Sequence, residues 1–197
     1  MSTDHLSIRL ARETDIPGIL DIYNDAILNT TALYTYEPFT AAMMQQWFAD
    51  KKAKNLPVFV AAAAHAPTET NAQPAAASPT AGQTAGIIAG FASYGPFRPW
   101  PAYKYSVEHS IYVHRDQRGK GIAKALLKTL IDHATAANLH TLVAGIDSAN
   151  AVSINLHKKF GFKETARINE VGYKFGRWLD LVFMQLILKN NLQPDEK

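Results

Sequence analysis

The segment VEHSIYVHRDQRGKGIAKALLKTLIDHA, residues 107–134, constrains this chain more than any other stretch. Val107, His109, Ile111 and Val113 alternate with Glu108, Ser110, Tyr112 and His114, which predicts a strand over 107–114 with two unlike faces. After it, Ile122, Ala125, Leu126, Leu130 and Ile131 recur at helical spacing, with Leu127 widening that face, and predict a helix over 119–137. RGKGIA stands between them. The first amides of a helix lack intrahelical partners, and glycine lets the backbone come close to a bulky anion. The helix dipole adds partial positive charge, so successive N–H groups there suit a pyrophosphate, with Arg118 and Lys120 at the rim.

Other anion sites share this logic and are distinguishable. A nucleoside-triphosphate loop needs Lys-Ser/Thr after its last glycine, whereas Ile122 follows Gly121. A dinucleotide fingerprint needs a third glycine, where Ala125 and Leu126 stand. A glycine turn that merely opens a helix remains the simplest alternative.

The rest of the chain surrounds this unit with further elements. SIRLA reads as a first strand, and Ile16, Ile19, Leu20, Tyr23, Ala26 and Ile27 mark a helix opened by Thr14, Asp15 and Pro17. An extended connector, TALYTYEPF, ends at Pro38. Thr40 then caps a second helix with Met43, Met44, Trp47 and Phe48 on its apolar side. Strands follow in LPVFVAAA and AGIIAGFASYGPF. Beyond residue 137 come a strand at 141–145, a helix at 151–160 and two final strands around INEVGYKFGRW and WLDLVFMQLIL. Residues 64–84, rich in Ala, Pro, Thr and Gln without periodicity, read as a flexible hairpin insertion. This order predicts a mixed α/β fold, one domain over 1–190 with a tail at 191–197, in a length of 197 residues that suits one core.

Composition narrows the function classes. The chain has no cysteine, which removes disulfides, thiolate metal sites and cysteine nucleophiles. The seven histidines show no metal-ligand spacing such as HExxH, so no metal is expected. A net charge of +3 suits an anionic ligand without pointing to nucleic acid. No secretory leader is visible, and WLDLVFMQLIL is too short and polar to cross a bilayer, so a cytoplasmic protein without a membrane partner is expected.

Arg118-x-x-Gly121-x-Ala123 resembles the Q/R-x-x-G-x-G/A motif of the GNAT superfamily of acetyltransferases. DSANAVSINLHKKFGF resembles that superfamily's second cofactor segment. VEHSIYV, TYEPFT and GRWLDLVFMQ are further similar to the phosphinothricin and methionine sulfoximine N-acetyltransferases, and the shared segments run in order along nearly the whole chain. The insertion at 64–84 departs from that pattern and weakens any transfer of substrate identity.

The resemblance implies a GNAT-type fold, a central and mostly antiparallel mixed sheet flanked by helices, with acetyl-CoA as co-substrate. It implies that Arg118, Gly119, Lys120, Gly121, Ile122 and Ala123 hold the pyrophosphate, that Ile111, Tyr112 and Val113 line the pantetheine arm, and that Asn150 touches the cofactor. Glu108 is implied as the base for the acceptor ammonium, and the Val113 N–H as donor to the thioester oxygen. His157, where many relatives carry tyrosine, either protonates the departing sulfur or positions it; alternatively it is a surface histidine beside Lys158 and Lys159. Arg98 is implied to meet the acceptor's carboxylate, with Tyr36, Phe97 and Trp100 as an apolar wall. A homodimer in which KFGRW reaches the partner, and resistance to amino-acid antibiotics or herbicides, follow from the same likeness. Other amines (a polyamine, an aminoglycoside, a protein N-terminus) and a non-catalytic CoA sensor stay open as alternatives.

Overall fold

A computed structural model describes residues 6–63, 87–189 and 193–196. The insertion expected at 64–84 and part of the expected tail lie outside the described residues. The strands are β1 (Leu6–Leu10), β2 (Val58–Ala63), β3 (Ile88–Pro96), β4 (Ser106–Val113), β5 (Thr141–Asp147), β6 (Lys163–Lys174) and β7 (Arg177–Ile187). The helices are α1 (Ile16–Asn29), α2 (Ala41–Ala53), α3 (Ile122–Ala136) and α4 (Ala151–Lys159). All seven strands join one sheet in the order β1-β2-β3-β4-β5-β7-β6.

Every neighbouring pair is antiparallel except β4 and β5. These two are joined by α3, the long crossover that a parallel pair requires. Their pairing is brief, running from Ser106↔Thr141 to Glu108↔Val143. Beyond it the ladder stops, although β4 continues to Val113 and β5 to Asp147.

Apolar residues cover the sheet on both faces. Leu126, Leu127, Leu130 and Ala134 of α3 pack with Leu142, Ala144, Val182 and Met184. Ile19 and Ile22 of α1 and Met44 and Phe48 of α2 pack with Val60 and Phe91 on the other side. The alternation read in β4 holds: Val107 and His109 are buried toward α3, and Tyr112 packs into the opposite cluster. At about 25 cal/mol per Å² of apolar surface removed from water, these two layers are the main favourable contribution to folding.

Several local expectations change. Met43 is 47% exposed, so the apolar side of α2 is Met44, Trp47 and Phe48; the Thr40 hydroxyl does accept from the Met43 N–H at 3.2 Å. Asp15 is buried and makes no cap to α1; its carboxylate accepts from Arg9 at 2.6 Å and from the Arg12 N–H at 2.7 Å. Hydrogen bonding to these donors holds the Asp15 carboxyl below its ordinary value against the cost of burial. β6 begins five residues before INEVGY, and its burial does not alternate because it is an edge strand exposed on both faces along most of its length.

Candidate active site

The glycine turn is built by backbone conformation. Gly119 and Gly121 both have φ of +80°, a left-handed geometry that side chains disfavour, and α3 starts only at Ile122. A Cβ on either would meet nothing within 4 Å, so the turn is open to solvent as well as left-handed. Its intrahelical bonding begins with the Ala125 N–H donating to the Gly121 carbonyl at 3.1 Å, which leaves the preceding first-turn amides for an outside acceptor. An open cradle of amides at a helix N-terminus fits the pyrophosphate of a CoA ester.

The two charges beside the cradle are differently held. Arg118 donates to Asp25 of α1 at 3.3 Å and lies 3.5 Å from the Val113 carbonyl, and Arg115 reaches the same carboxylate at 3.3 Å. Lys120 donates to Gln117 at 2.8 Å. Asp25 carries no motif signal, and only the fold brings it under the arginines.

Glu108 lies at the end of the parallel pairing, opposite Gly95 on β3 and Val143 on β5. Burial raises its carboxyl above the ordinary value, and the nearby Arg98 guanidinium opposes that rise. Arg98 donates to the Phe97 carbonyl at 2.7 Å and stacks 4.1 Å above the Phe97 ring. Phe97 in turn meets Phe183 edge-on at 6.3 Å. A Cβ on Gly145 would come within 3.0 Å of the Glu108 carboxylate and 3.6 Å of Leu181 and Phe183. The structure therefore brings Glu108, Arg98 and Phe97 together and adds Gly145, Leu181 and Phe183. None of those three carries a signal in the sequence, since their role depends on strand register.

Other predicted residues sit differently. Tyr36 is exposed, and its hydroxyl donates to the Tyr173 carbonyl of β6 at 2.6 Å. Its neighbour Tyr34 packs against Gly172, where a Cβ would stand 2.5 Å from the ring, and its hydroxyl donates to the Asp180 carbonyl at 3.3 Å. Burial and the nearby Asp147 push the Tyr34 phenol up to about 12. Trp100 is exposed and contacts Tyr103 at 6.3 Å. The Tyr112 side chain turns away from Ile111 and Val113 to pack on Tyr23 and Phe91. Asn150 caps α4 by accepting from the Ser153 N–H at 3.0 Å, which commits its side-chain oxygen.

His157 is not a surface histidine. It is 5% exposed, and its Nε2 lies 3.0 Å from Nε2 of His109, itself 8% exposed. Phe162 packs against both rings. Nδ1 of His157 meets the Ser153 carbonyl at 2.7 Å, and Nδ1 of His109 meets the Val143 carbonyl at 2.8 Å. Burial, and repulsion from His157 once that ring is charged, push protonation of His109 down to about 3, so the pair takes up no second proton near neutral pH; burial also lowers His157, against the pull of the Ser153 carbonyl.

Comparison with known proteins decides the family. Residues 24–162 match the acetyltransferase (GNAT) family. The chain belongs to the GNAT acetyltransferases. It is 45% identical over 188 residues to an L-methionine sulfoximine/L-methionine sulfone acetyltransferase of Pseudomonas aeruginosa, covering 95% of each chain. It is 31% identical over 183 residues to a phosphinothricin N-acetyltransferase of Streptomyces coelicolor, covering 93% of this chain and 96% of that one. A Salmonella typhimurium structure containing its cofactor acetyl-CoA superposes with a TM-score of 0.83 at 38% identity, over 98% of this chain and 99% of that one. This GNAT chain is an acetyl-CoA-dependent N-acetyltransferase, and its mixed, mostly antiparallel sheet is the one the resemblance implies.

Among the described residues no cluster of His, Cys, Asp or Glu could hold a metal, and no helix is long and apolar enough to cross a membrane. A cavity of 740 Å³ between α1 and α2, lined by Ile16, Leu20, Phe48 and Lys52, contains none of the predicted residues.

Proposed function

We propose that this enzyme acetylates the α-amine of a small amino-acid analogue, with methionine sulfoximine, methionine sulfone and phosphinothricin as the acceptor class. The observation that carries this reading is the juxtaposition of Glu108 with Arg98 over the Phe97–Phe183 wall. One carboxylate, one guanidinium and an apolar wall match an ammonium, a carboxylate and a short side chain. The curated relatives named for these acceptors support it.

In this reading Gly119, Gly121 and the first amides of α3 hold the pyrophosphate, with Arg118 and Lys120 at the rim. Ile111 and Val113 line the gap where β4 leaves β5, and Asn150 borders it. Acetyl-CoA supplies an acetyl group activated as a thioester. Glu108 accepts a proton from the acceptor ammonium and frees the nitrogen lone pair. Its pKa, raised by burial, makes it a stronger base than an exposed carboxylate. Arg98 pairs with the acceptor's carboxylate and fixes which end of the molecule meets Glu108. The even-numbered residues of β4 bond to β3, as His114 N–H does to Ala89, so the Val113 N–H points to the side where β5 has departed. There it donates to an oxygen that gains negative charge.

The proposal includes a cytoplasmic homodimer formed through the β6–β7 hairpin. β6 is an edge strand, and Val171, Tyr173, Phe175 and Trp178 are exposed along the hairpin, an apolar surface that a second copy would cover.

A steady-state screen of thiol release with methionine sulfoximine, methionine sulfone, phosphinothricin and ordinary amino acids, run beside a polyamine and an aminoglycoside, tests the acceptor. Turnover of the amino-acid analogues above the other amines is expected. Preference for the polyamine or aminoglycoside would withdraw the assignment.

A further inference from the structure

The buried pair His109–His157 has a proton count that two neutral rings cannot meet. Three contacts of 3.0 Å or less involve its four ring nitrogens: Nδ1 of His109 to the Val143 carbonyl, Nδ1 of His157 to the Ser153 carbonyl, and Nε2 to Nε2; the Ser153 hydroxyl stands farther off, 3.4 Å from Nδ1 of His157. Carbonyls only accept, so each Nδ1 needs a proton, and the Nε2–Nε2 contact needs one more. Two neutral imidazoles bring two protons between them. In any neutral arrangement one contact at 3.0 Å or less sets lone pair against lone pair. A third proton turns all three contacts into hydrogen bonds and gives the pair a single positive charge.

The position of the pair gives that charge a use. The β4–β5 ladder ends at Glu108↔Val143, and His109 is the next residue on β4. Its bond to the Val143 carbonyl spans the two strands where they part. Phe162 shields both rings. Glu108 points to the opposite face of β4, Lys158 and Lys159 are exposed on α4, and the ionisable group acting on His109 is His157 itself.

We propose that His109 and His157 hold one shared proton and form a buried cation behind the gap between β4 and β5, where it stabilises negative charge on the departing sulfur. His109 is a positioning residue: it fixes the tautomer of His157 and shares its charge. A second proton is excluded, because burial and the first charge both oppose it. The sulfur's location rests on the cofactor placement proposed above; the shared proton does not.

Long-range ¹⁵N–¹H spectra of the unliganded enzyme, recorded from about pH 5 to 8, read the ring nitrogens directly. One titration step common to both rings is expected, with both Nδ1 atoms protonated throughout. Independent midpoints, or two rings that stay neutral across that range, would overturn the proposal. The parent enzyme's kcat is expected to decline at rising pH as the pair loses its proton; in His109→Gln, kcat is expected to fall about tenfold to a hundredfold with KM for acetyl-CoA within about twofold, and that alkaline decline is expected to disappear. A purely structural role would lower stability and leave the pH profile unchanged in shape, which also overturns it. The wild-type spectra decide the matter if the variant does not fold. An enzyme with a shared titration but no activity on the amino-acid panel would sink the acceptor assignment alone.

Discussion

Glu108 and Gly145 lie against each other across the end of the parallel β4–β5 pairing, and a Cβ on Gly145 would stand 3.0 Å from the Glu108 carboxylate. Gly145 is exposed and has no positive φ, so its lack of a side chain serves the neighbouring carboxylate rather than the backbone. The obstructed atom is the tip of a flexible side chain, which can move aside at small cost. Gly145→Ala is therefore expected to keep the thermal midpoint within about 2 °C while lowering kcat/KM about tenfold to a hundredfold, since a displacement near 1 Å is enough for such losses. Thermal melts and steady-state rates on one preparation separate the two effects. A fully active Gly145→Ala enzyme would remove Glu108 from the position assigned to it.

The pH dependence of kcat/KM follows from the same carboxylate. Burial places the Glu108 pKa above the ordinary value, and the proton-accepting form exists only above that pKa. Activity should therefore fall as the pH drops through it. Glu108→Gln is expected to lose about 10²- to 10⁴-fold in kcat and to retain its calorimetric affinity for acetyl-CoA. Arg98 holds the same pKa down, so Arg98→Gln is expected to move the acid limb to higher pH and to raise KM for the acceptor about tenfold or more. A limb that moves to lower pH would contradict the electrostatic link between Arg98 and Glu108.

At the glycine turn, conformation should outweigh charge. Gly121 holds φ of +80° at the N-terminus of α3, where an alanine costs about 1–2 kcal/mol or tilts the amides that follow. Gly121→Ala is expected to weaken acetyl-CoA binding about tenfold or more. Lys120, exposed and paired with Gln117, is expected to give less than about fivefold on change to alanine, with the loss vanishing at high salt. Titration calorimetry at two ionic strengths checks both.

The parts of this enzyme that were legible in its sequence are those written in local order. The alternation of β4, the glycine turn and the apolar stripe of α3 lie within one continuous segment, and their spacing dictates their geometry. The place of Glu108 on the face of β4 opposite Val107 and His109 follows from the same alternation, whereas its role as base comes from the family resemblance. Gly145, Phe183 and Asp25 were not legible, because each acts through a partner on another element and the pairing is set by sheet register. His157 is instructive. Its neighbours Lys158 and Lys159 mark an exposed helix face, but one residue corresponds to about 100° of rotation, enough to turn His157 inward onto His109.

Lys174 shows the same limit. In the sequence it is one cation in YKFGRW, yet it is 4% exposed and its ammonium donates to the carbonyls of Ile27 at 2.6 Å, Leu33 at 2.8 Å and Thr30 at 2.9 Å. These carbonyls belong to the last turn of α1 and the chain just beyond it, where no intrahelical donors remain. One side chain thus ties the end of α1 to the β6–β7 hairpin. Lys174→Met keeps much of the volume and removes every donor, leaving inward-facing carbonyls without partners. The expected loss is about 2–4 kcal/mol, read as a lower urea midpoint at unchanged slope. Acetyl-CoA affinity should hold at temperatures where the variant is folded, because α3 and its glycine turn lie on a different part of the sheet. A variant as stable as the parent would show that water replaces the ammonium at no cost.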